Sequence, residues 1–165
     1  MNRSICIILV LNSNLKLIQK TLKSLEKIEF INDLYVLSNS NQINEIQDFF
    51  DNKTINAIPK LKIKQISNVV EGINICLSKT NSSYSLILNE GHYLDNVVLS
   101  KLLKIFSEDL NTKIIYTNSI LTNKKDHFLS YYPADNLEKF FEPNSYLKPI
   151  IDSSVIFKND VFEEN

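Results

Sequence analysis

The chain has 165 residues, of which 44% are hydrophobic and 22% are charged, a composition typical of one globular domain with its own hydrophobic core. The formal net charge of −1 argues against a nucleic-acid or membrane-surface partner held by bulk charge. No apolar run approaches the roughly 18 residues of a membrane helix, and the N-terminus lacks a signal-peptide pattern. We therefore expect a cytoplasmic protein that associates with membranes peripherally at most.

Apolar runs and helical periodicities alternate through the first two thirds of the chain. The unbroken run at 5–11 predicts a strand covered on both faces, and Leu15, Ile18, Leu22 and Leu25 then recur at helical spacing. The predicted strands cover 5–11, 33–37, 61–66, 84–88 and 113–116, and the predicted helices cover 15–25, 43–50, 69–77 and 97–106.

Beyond residue 116 the alternation stops. Residues 120–132 predict a hairpin, 136–141 a short helix and 151–157 a last strand. Alternating strands and helices imply a three-layer α/β fold with a doubly wound, mostly parallel sheet, and the late segment predicts a small antiparallel addition near the C-terminus. We expect a single domain over residues 1–165.

The most informative segment is the fourth predicted strand and the turn after it. Its apolar run ends abruptly at Asn89, Glu90, Gly91 and His92. A buried strand that carries polar residues at its carboxyl end is how an open α/β sheet presents chemistry. Gly91 is expected to supply a positive φ after the strand, and Asp95 is expected to cap the following helix.

The order of elements and several segments resemble family 2 glycosyltransferases of the GT-A fold. Residues 7–12 are similar to that family's opening strand, and 21–25 to the Leu-x-Ser-Leu pattern of its first helix. Residues 84–94 resemble its metal-binding strand end. The other similar segments are 72–74, 115–118 and 151–158. The resemblance spans nearly the whole chain in the right order, and the chain is expected to stop before the segment that carries the acceptor site and the base.

The resemblance implies transfer of a sugar from a nucleotide-sugar, with a UDP-sugar as the expected donor, to a glycan or lipid-linked acceptor. It also implies a divalent cation, Mn²⁺ or Mg²⁺, bound by carboxylates at the strand end. The positions that match the family's nucleotide-contacting residues are Leu11, Asn12, Ser38, Asn39, Asn74 and Asn89. The candidate metal ligands are Glu90 and His92.

Two departures from the family pattern put the chemistry in question. Asn89 and Gly91 fill the two aspartate positions of an Asp-x-Asp motif, and His92 stands where an aspartate ends the Asn-x-Gly-Asp variant. Hard cations prefer carboxylate oxygens, and a neutral imidazole offsets no cation charge. The catalytic base is unassigned, and the candidates for it after the last predicted strand are Glu163 and Glu164, next to the end of the chain.

These departures leave two functions open. One is an active glycosyltransferase. The other is a GT-A-like domain with a degenerate active site, in which Glu90 and His92 are ordinary turn residues and the domain acts as a binding or scaffolding partner. A dinucleotide-binding oxidoreductase is disfavoured because no Gly-x-Gly-x-x-Gly turn follows the first strand. The cysteines, Cys6 and Cys76, sit in apolar patterns and predict two buried thiols.

Overall fold

A computed structural model describes residues 4–11, 15–38, 43–52, 61–117, 119–122, 128–132 and 155–162. The strands are β1 (Ile5–Leu11), β2 (Ile31–Ser38), β3 (Leu61–Gln65), β4 (Tyr84–Asn89), β5 (Ile114–Tyr116), β6 (Ser119–Thr122), β7 (Phe128–Tyr132) and β8 (Val155–Lys158). The helices are α1 (Leu15–Leu25), α2 (Ile43–Asn52), α3 (Val69–Leu77) and α4 (Asn96–Glu108), and a 3₁₀ turn at Asn159–Phe162 follows β8.

Within the described residues, six strands form one sheet in the order β3-β2-β1-β4-β8-β5. The first four of these pair in parallel, whereas β8 runs antiparallel to both β4 and β5. Strands β6 and β7 form a separate antiparallel hairpin. The predicted mostly parallel sheet with an antiparallel addition near the C-terminus is therefore confirmed.

The helices cover both faces of the sheet. Strand β1 is buried along its whole length, as the unbroken apolar run predicts. One face packs against α1, α2 and α4 through apolar side chains such as Ile18, Phe50 and Leu103. The other face packs against α3, where Cys6 and Cys76 lie in the same apolar cluster. This arrangement gives the three layers expected from the sequence.

Helix α3 approaches the sheet closely at Gly72. A Cβ built on this glycine would lie 2.8 Å from Cγ2 of Ile66 and 3.2 Å from Cδ1 of Leu37. Real Cβ atoms essentially never come as close as the first of these contacts. The absence of a side chain at position 72 therefore sets how near the helix lies to the strands.

The predicted elements agree with the structure to within a few residues. Strand β2 is longer than the predicted 33–37, and β4 includes Asn89, one residue beyond the predicted end. The predicted hairpin is confirmed as β6 and β7, and the first part of the predicted last strand, 151–154, lies outside the described residues, as does the predicted helix at 136–141. Among the helices that the structure describes, none has the length and apolar character needed to cross a lipid bilayer.

Candidate functional site

The carboxyl ends of three parallel strands lie side by side. Leu11 at the end of β1 pairs with Ser38 at the end of β2, and Val10 pairs with Asn89 at the end of β4. Because parallel strands all end at the same edge of a sheet, these residues share the crevice edge at which open α/β sheets bind ligands. The structure thus brings Leu11, Ser38 and Asn89, three of the predicted site residues, to one edge of the sheet.

A tight turn follows β4 at this edge. The N–H of Glu90 donates to the carbonyl of Val10 at 3.1 Å, and the N–H of His92 donates to the carbonyl of Asn89 at 3.2 Å. Gly91 has a φ of +87°, in the left-handed region that favours glycine. The predicted positive φ is thus confirmed, and the glycine is what allows the chain to turn back so sharply after the strand.

The turn ends where α4 begins. A side-chain oxygen of Asp95 accepts a hydrogen bond from the N–H of Val98 at 2.9 Å, which is an N-cap. The predicted capping role of Asp95 is confirmed. Its carboxylate therefore serves the start of the helix, and Glu90 is the other carboxylate of the segment between β4 and α4.

Two buried hydroxyls of α1 accept hydrogen bonds from the backbone of the turn. The N–H of Gly91 donates to Oγ1 of Thr21 at 2.9 Å, and the N–H of Leu94 donates to Oγ of Ser24 at 3.1 Å. Both hydroxyl-bearing residues are almost completely buried. The sequence reasoning assigned them no role, although two hydroxyls three residues apart on the apolar face of a helix were a visible signal that the helix meets polar backbone there.

The candidate residues at the strand ends differ in their access to solvent. The side chains of Leu11 and Ser38 are closed to solvent, and Leu11 belongs to the hydrophobic core. A nucleotide contact through the Ser38 hydroxyl therefore requires the strand end to open. Asn89, Glu90 and His92 are each only partly buried, and the next residue along the turn is exposed.

The remaining candidate residues lie elsewhere or outside the described part of the chain. Asn74 is exposed on α3, two residues from each of the buried positions Gly72 and Cys76. Since each helical residue advances about 100°, Asn74 lies on the side of α3 turned away from the sheet. Asn12, Asn39, Glu163 and Glu164 lie outside the described residues.

The donor set at the turn fits a hard divalent cation poorly. It offers one carboxylate from Glu90, one imidazole from His92 and one amide from Asn89. Mg²⁺ and Mn²⁺ prefer several oxygen ligands, with carboxylates foremost. Within the described ranges, no three His, Cys, Asp or Glu side chains come together in a group that could hold a metal ion. We therefore derive no chemical step that passes through a metal.

A second polar cluster lies at the opposite, amino edge of the sheet. Asp33, only 2% exposed, accepts hydrogen bonds at Oδ2 from Asn32 and Thr80 at 2.9 Å and from Ser82 at 3.2 Å. The ammonium group of Lys62 lies 3.6 Å from Oδ1 of the same carboxylate. This cluster ties the start of β2 to the loop before β4, and its carboxylate is closed to ligands.

An open groove of about 310 Å³ lies near the same amino edge. Its lining residues are Ser82, Ser83, Tyr84, Lys158, Asn159 and Asp160. Asn159 donates from Nδ2 to the carbonyl of Ser82 at 2.6 Å, and Asp160 is paired with Lys113 at 2.9 Å. Because Asn159 and Asp160 already have partners within the protein, and because the groove lies at the edge opposite the carboxyl ends of the parallel strands, we do not assign it to the candidate site.

The two thiols are poor candidates for nucleophiles. Cys6 and Cys76 are both free and buried, as the sequence predicts. Burial raises the pKa of Cys6 to about 12 and that of Cys76 to about 11. Since the thiolate is the reactive form, both groups remain protonated and unreactive near neutral pH.

Solved structures with this architecture identify its fold class. S. aureus TarS (residues 1–349) matches with a TM-score of 0.65 in complex with UDP and 0.66 in complex with UDP-GlcNAc, each at 15% identity over 98% of this chain. The Pyrobaculum calidifontis mannosyltransferase PcManGT, in complex with GDP-Man and Mn²⁺, matches at 0.57 and 10% identity over 76%. The fold is GT-A-like. Neighbours of this fold include both nucleotide-diphospho-sugar transferases and nucleotidyltransferases.

The same fold also occurs in 4-diphosphocytidyl-2C-methyl-D-erythritol synthase from Anaerococcus prevotii, with a TM-score of 0.62 at 12% identity, covering 98% of this chain and 74% of that one. This chain covers 48% and 47% of the two TarS chains and 37% of PcManGT. No family profile and no curated sequence matches the chain. At these identities the likeness establishes the GT-A-like fold alone.

Proposed function

We propose that the protein binds a nucleotide-sugar at the carboxyl edge of its sheet and is a glycosyltransferase-like protein. The observation that carries the proposal is the register that places Leu11, Ser38 and Asn89 together where β1, β2 and β4 end. In open α/β sheets this edge is the ligand-binding edge. The expected donor is a UDP-sugar and the expected acceptor is a glycan or a lipid-linked sugar.

The structural neighbours support a nucleotide ligand in general terms. TarS was solved with UDP and with UDP-GlcNAc, and the mannosyltransferase with GDP-Man. The synthase from Anaerococcus prevotii belongs to a different class of transferase with the same fold. The shared chemistry is therefore nucleotide recognition, whereas the choice between sugar transfer and other transfers must come from residues at the site.

The candidate residues have distinct roles in this proposal. Asn89 provides an amide that can both donate and accept hydrogen bonds to a ribose or a base. Glu90 and His92 flank the positive-φ glycine, where they would face the diphosphate or the sugar. An inverting transfer also needs a general base within hydrogen-bond reach of the acceptor hydroxyl. Glu163 and Glu164 remain the candidates from the sequence for that base.

A second function is favoured by the donor set of the turn. Asn89, Gly91 and His92 stand where the family's motifs have aspartates, so Glu90 is the one carboxylate of these four positions that could hold a cation to offset the charge of a diphosphate leaving group. The alternative is thus a GT-A-like domain without catalysis that acts as a binding or scaffolding partner. It predicts nucleotide or glycan binding without turnover.

Isothermal titration calorimetry with UDP, GDP and CTP, each with and without Mn²⁺, separates these functions. Binding of UDP that strengthens at least tenfold with Mn²⁺ supports the transferase, and a donor-hydrolysis assay with UDP-sugars then tests turnover. Binding that is indifferent to metal supports the non-catalytic domain. Failure of all three nucleotides to bind contradicts the proposed nucleotide site.

The variant His92→Ala is the matched probe for the metal. If the imidazole is a ligand, the variant loses the Mn²⁺ dependence and keeps the metal-free affinity. Unchanged metal dependence removes His92 from the site. His127 offers a control, since His127→Ala removes the other histidine of the chain and is expected to leave binding unchanged.

A further inference from the structure

The turn after β4 has little freedom to bind an anion through its backbone. The N–H groups of Glu90, Gly91, His92 and Leu94 all donate to acceptors within the protein. A cradle for phosphate needs several N–H groups that point at the ligand. This turn instead fixes its backbone against the fold and presents its side chains at the strand-end edge.

Helix α1 supplies two of the four acceptors, and its hydroxyls are oriented for that task. Thr21 donates from Oγ1 to the carbonyl of Leu17 at 3.4 Å, and Ser24 donates from Oγ to the carbonyl of Thr21 at 2.6 Å. Each hydroxyl has one proton, which it donates to a carbonyl of the helix. Its oxygen can therefore still accept a hydrogen bond from the turn. The two contacts with the turn each join residues that are 70 positions apart in the chain.

We propose that Thr21 and Ser24 are positioning residues of the candidate site, which hold the turn so that Asn89, Glu90 and His92 face the ligand edge. The ligand part of this inference rests on the proposed nucleotide site. The amide exchange rates of the turn and the NMR signals of His92 can be measured without any ligand. Helix α1 is the element that follows β1 in the chain, and it bonds the turn that follows β4.

The packing under Gly91 supports a fixed turn. Its backbone is in the left-handed region, and a Cβ built there would lie 3.5 Å from the δ-carbons of Leu17, which is ordinary van der Waals contact. The glycine is therefore seated against the same helix that supplies the hydroxyls. Gly91 thus bonds Thr21 of α1, and Leu17, one turn earlier on the same helix, borders the space beside it.

The test uses Thr21→Val, which keeps the side-chain shape and removes the acceptor, and Ser24→Ala. The conservative variant Thr21→Ser restores the hydroxyl. Ser100→Ala is the matched control, because Ser100 on α4 donates only to the carbonyl of Asn96 in its own helix at 2.8 Å. Each variant is first shown to be folded by circular dichroism.

Amide hydrogen exchange followed by NMR is the first readout. We expect Thr21→Val to raise the exchange rate of the Gly91 amide by about tenfold or more, and Ser24→Ala to do the same for Leu94. Thr21→Ser and Ser100→Ala should leave both amides at the wild-type rate. Unchanged exchange at Gly91 in Thr21→Val would overturn the assigned contact.

The second readout separates positioning from simple support of the fold. The imidazole signals of His92, identified by their loss in His92→Ala, should move in Thr21→Val and Ser24→Ala and return in Thr21→Ser. The affinity for UDP should fall about tenfold in the first two variants and recover in the third. Faster amide exchange with unmoved His92 signals and unchanged affinity would show a purely structural role and overturn the proposal.

The two proposals fail in different ways. If the wild-type protein binds no nucleotide, the proposed function fails. The exchange rates and the His92 signals still decide whether α1 positions the turn. If nucleotide binds equally well to all variants, the proposed function stands and the positioning role is wrong.

Discussion

The two edges of the sheet hold polar clusters that are built in opposite ways. At the amino edge, the carboxylate of Asp33 is closed to solvent and receives three side-chain hydrogen bonds. At the carboxyl edge, it is the backbone of the turn that is hydrogen-bonded to the rest of the fold, while Asn89, Glu90 and His92 are partly exposed. The polar side chains of the first cluster bond one another within the fold, whereas those of the second are partly exposed to solvent.

This difference indicates which cluster a ligand can use. A buried carboxylate that already has several donors stabilises the fold, and a ligand would have to displace those donors to reach it. A turn with a fixed backbone and accessible side chains meets the usual requirement for a binding site, namely a rigid scaffold that presents a few polar groups. We therefore propose recognition at the carboxyl edge and expect the amino-edge cluster to stabilise the fold.

The largest expected effect comes from breaking the amino-edge cluster. Asp33→Ala leaves the donors of Thr80, Ser82 and Asn32 without their acceptor and should lower the free energy of unfolding by about 2 to 3 kcal/mol. Asp33→Asn keeps one acceptor oxygen and should cost less. Urea denaturation measures both variants. A loss below about 0.5 kcal/mol for Asp33→Ala would show that the cluster does not stabilise the fold.

A smaller effect is expected from straining the carboxyl-edge turn. Gly91→Ala should cost about 1 to 2 kcal/mol, because the φ of +87° disfavours any residue with a Cβ, whereas the new Cβ would meet Leu17 only at ordinary van der Waals distance. Gly91→Asn should cost less, since asparagine tolerates the left-handed region better. Thermal and urea unfolding measure the order of the two variants. Equal stability of Gly91→Ala and the wild type would contradict the strained turn.

The smallest effect is expected at the exposed margin of the amino edge. Lys62 is 47% exposed at its side chain, and its ammonium group donates to the Tyr35 hydroxyl at 2.9 Å and lies 3.6 Å from Asp33. Lys62→Met should change the free energy of unfolding by less than about 1 kcal/mol, because such pairs contribute little in water. A loss as large as that of Asp33→Ala would mean that the ion pair, and not the three neutral donors, holds the carboxylate.

Sequence reasoning predicted the elements well because their signals are local. The bounds of α3 follow from apolar spacing, and the cap at Asp95 follows from a polar residue before a helical run. The positive φ of Gly91 is predicted from a glycine that comes shortly after a strand, where the chain must turn. Each of these inferences needs only a few neighbouring residues.

The parts that the sequence left unpredicted depend on contacts between distant residues. The bonds from α1 to the turn after β4 join positions 70 apart, and the bonds to Asp33 from Thr80 and Ser82 join positions 47 and 49 apart. A single sequence does not say which helix face meets which loop. The sequence also did not show that Asn74 is exposed. Gly72 and Cys76, two positions away on either side, form the buried face of α3.

The most direct test of the central claim is a titration of the ¹⁵N-labelled protein with UDP, with and without Mg²⁺, followed by amide chemical shifts. We predict that the shifts concentrate on Ser38 and on residues 89–94, and that Asp33, Thr80 and Ser82 do not move. Shifts confined to the amino edge near Ser82 and Asn159, or no shifts with any nucleotide, would contradict the assignment of recognition to the carboxyl edge.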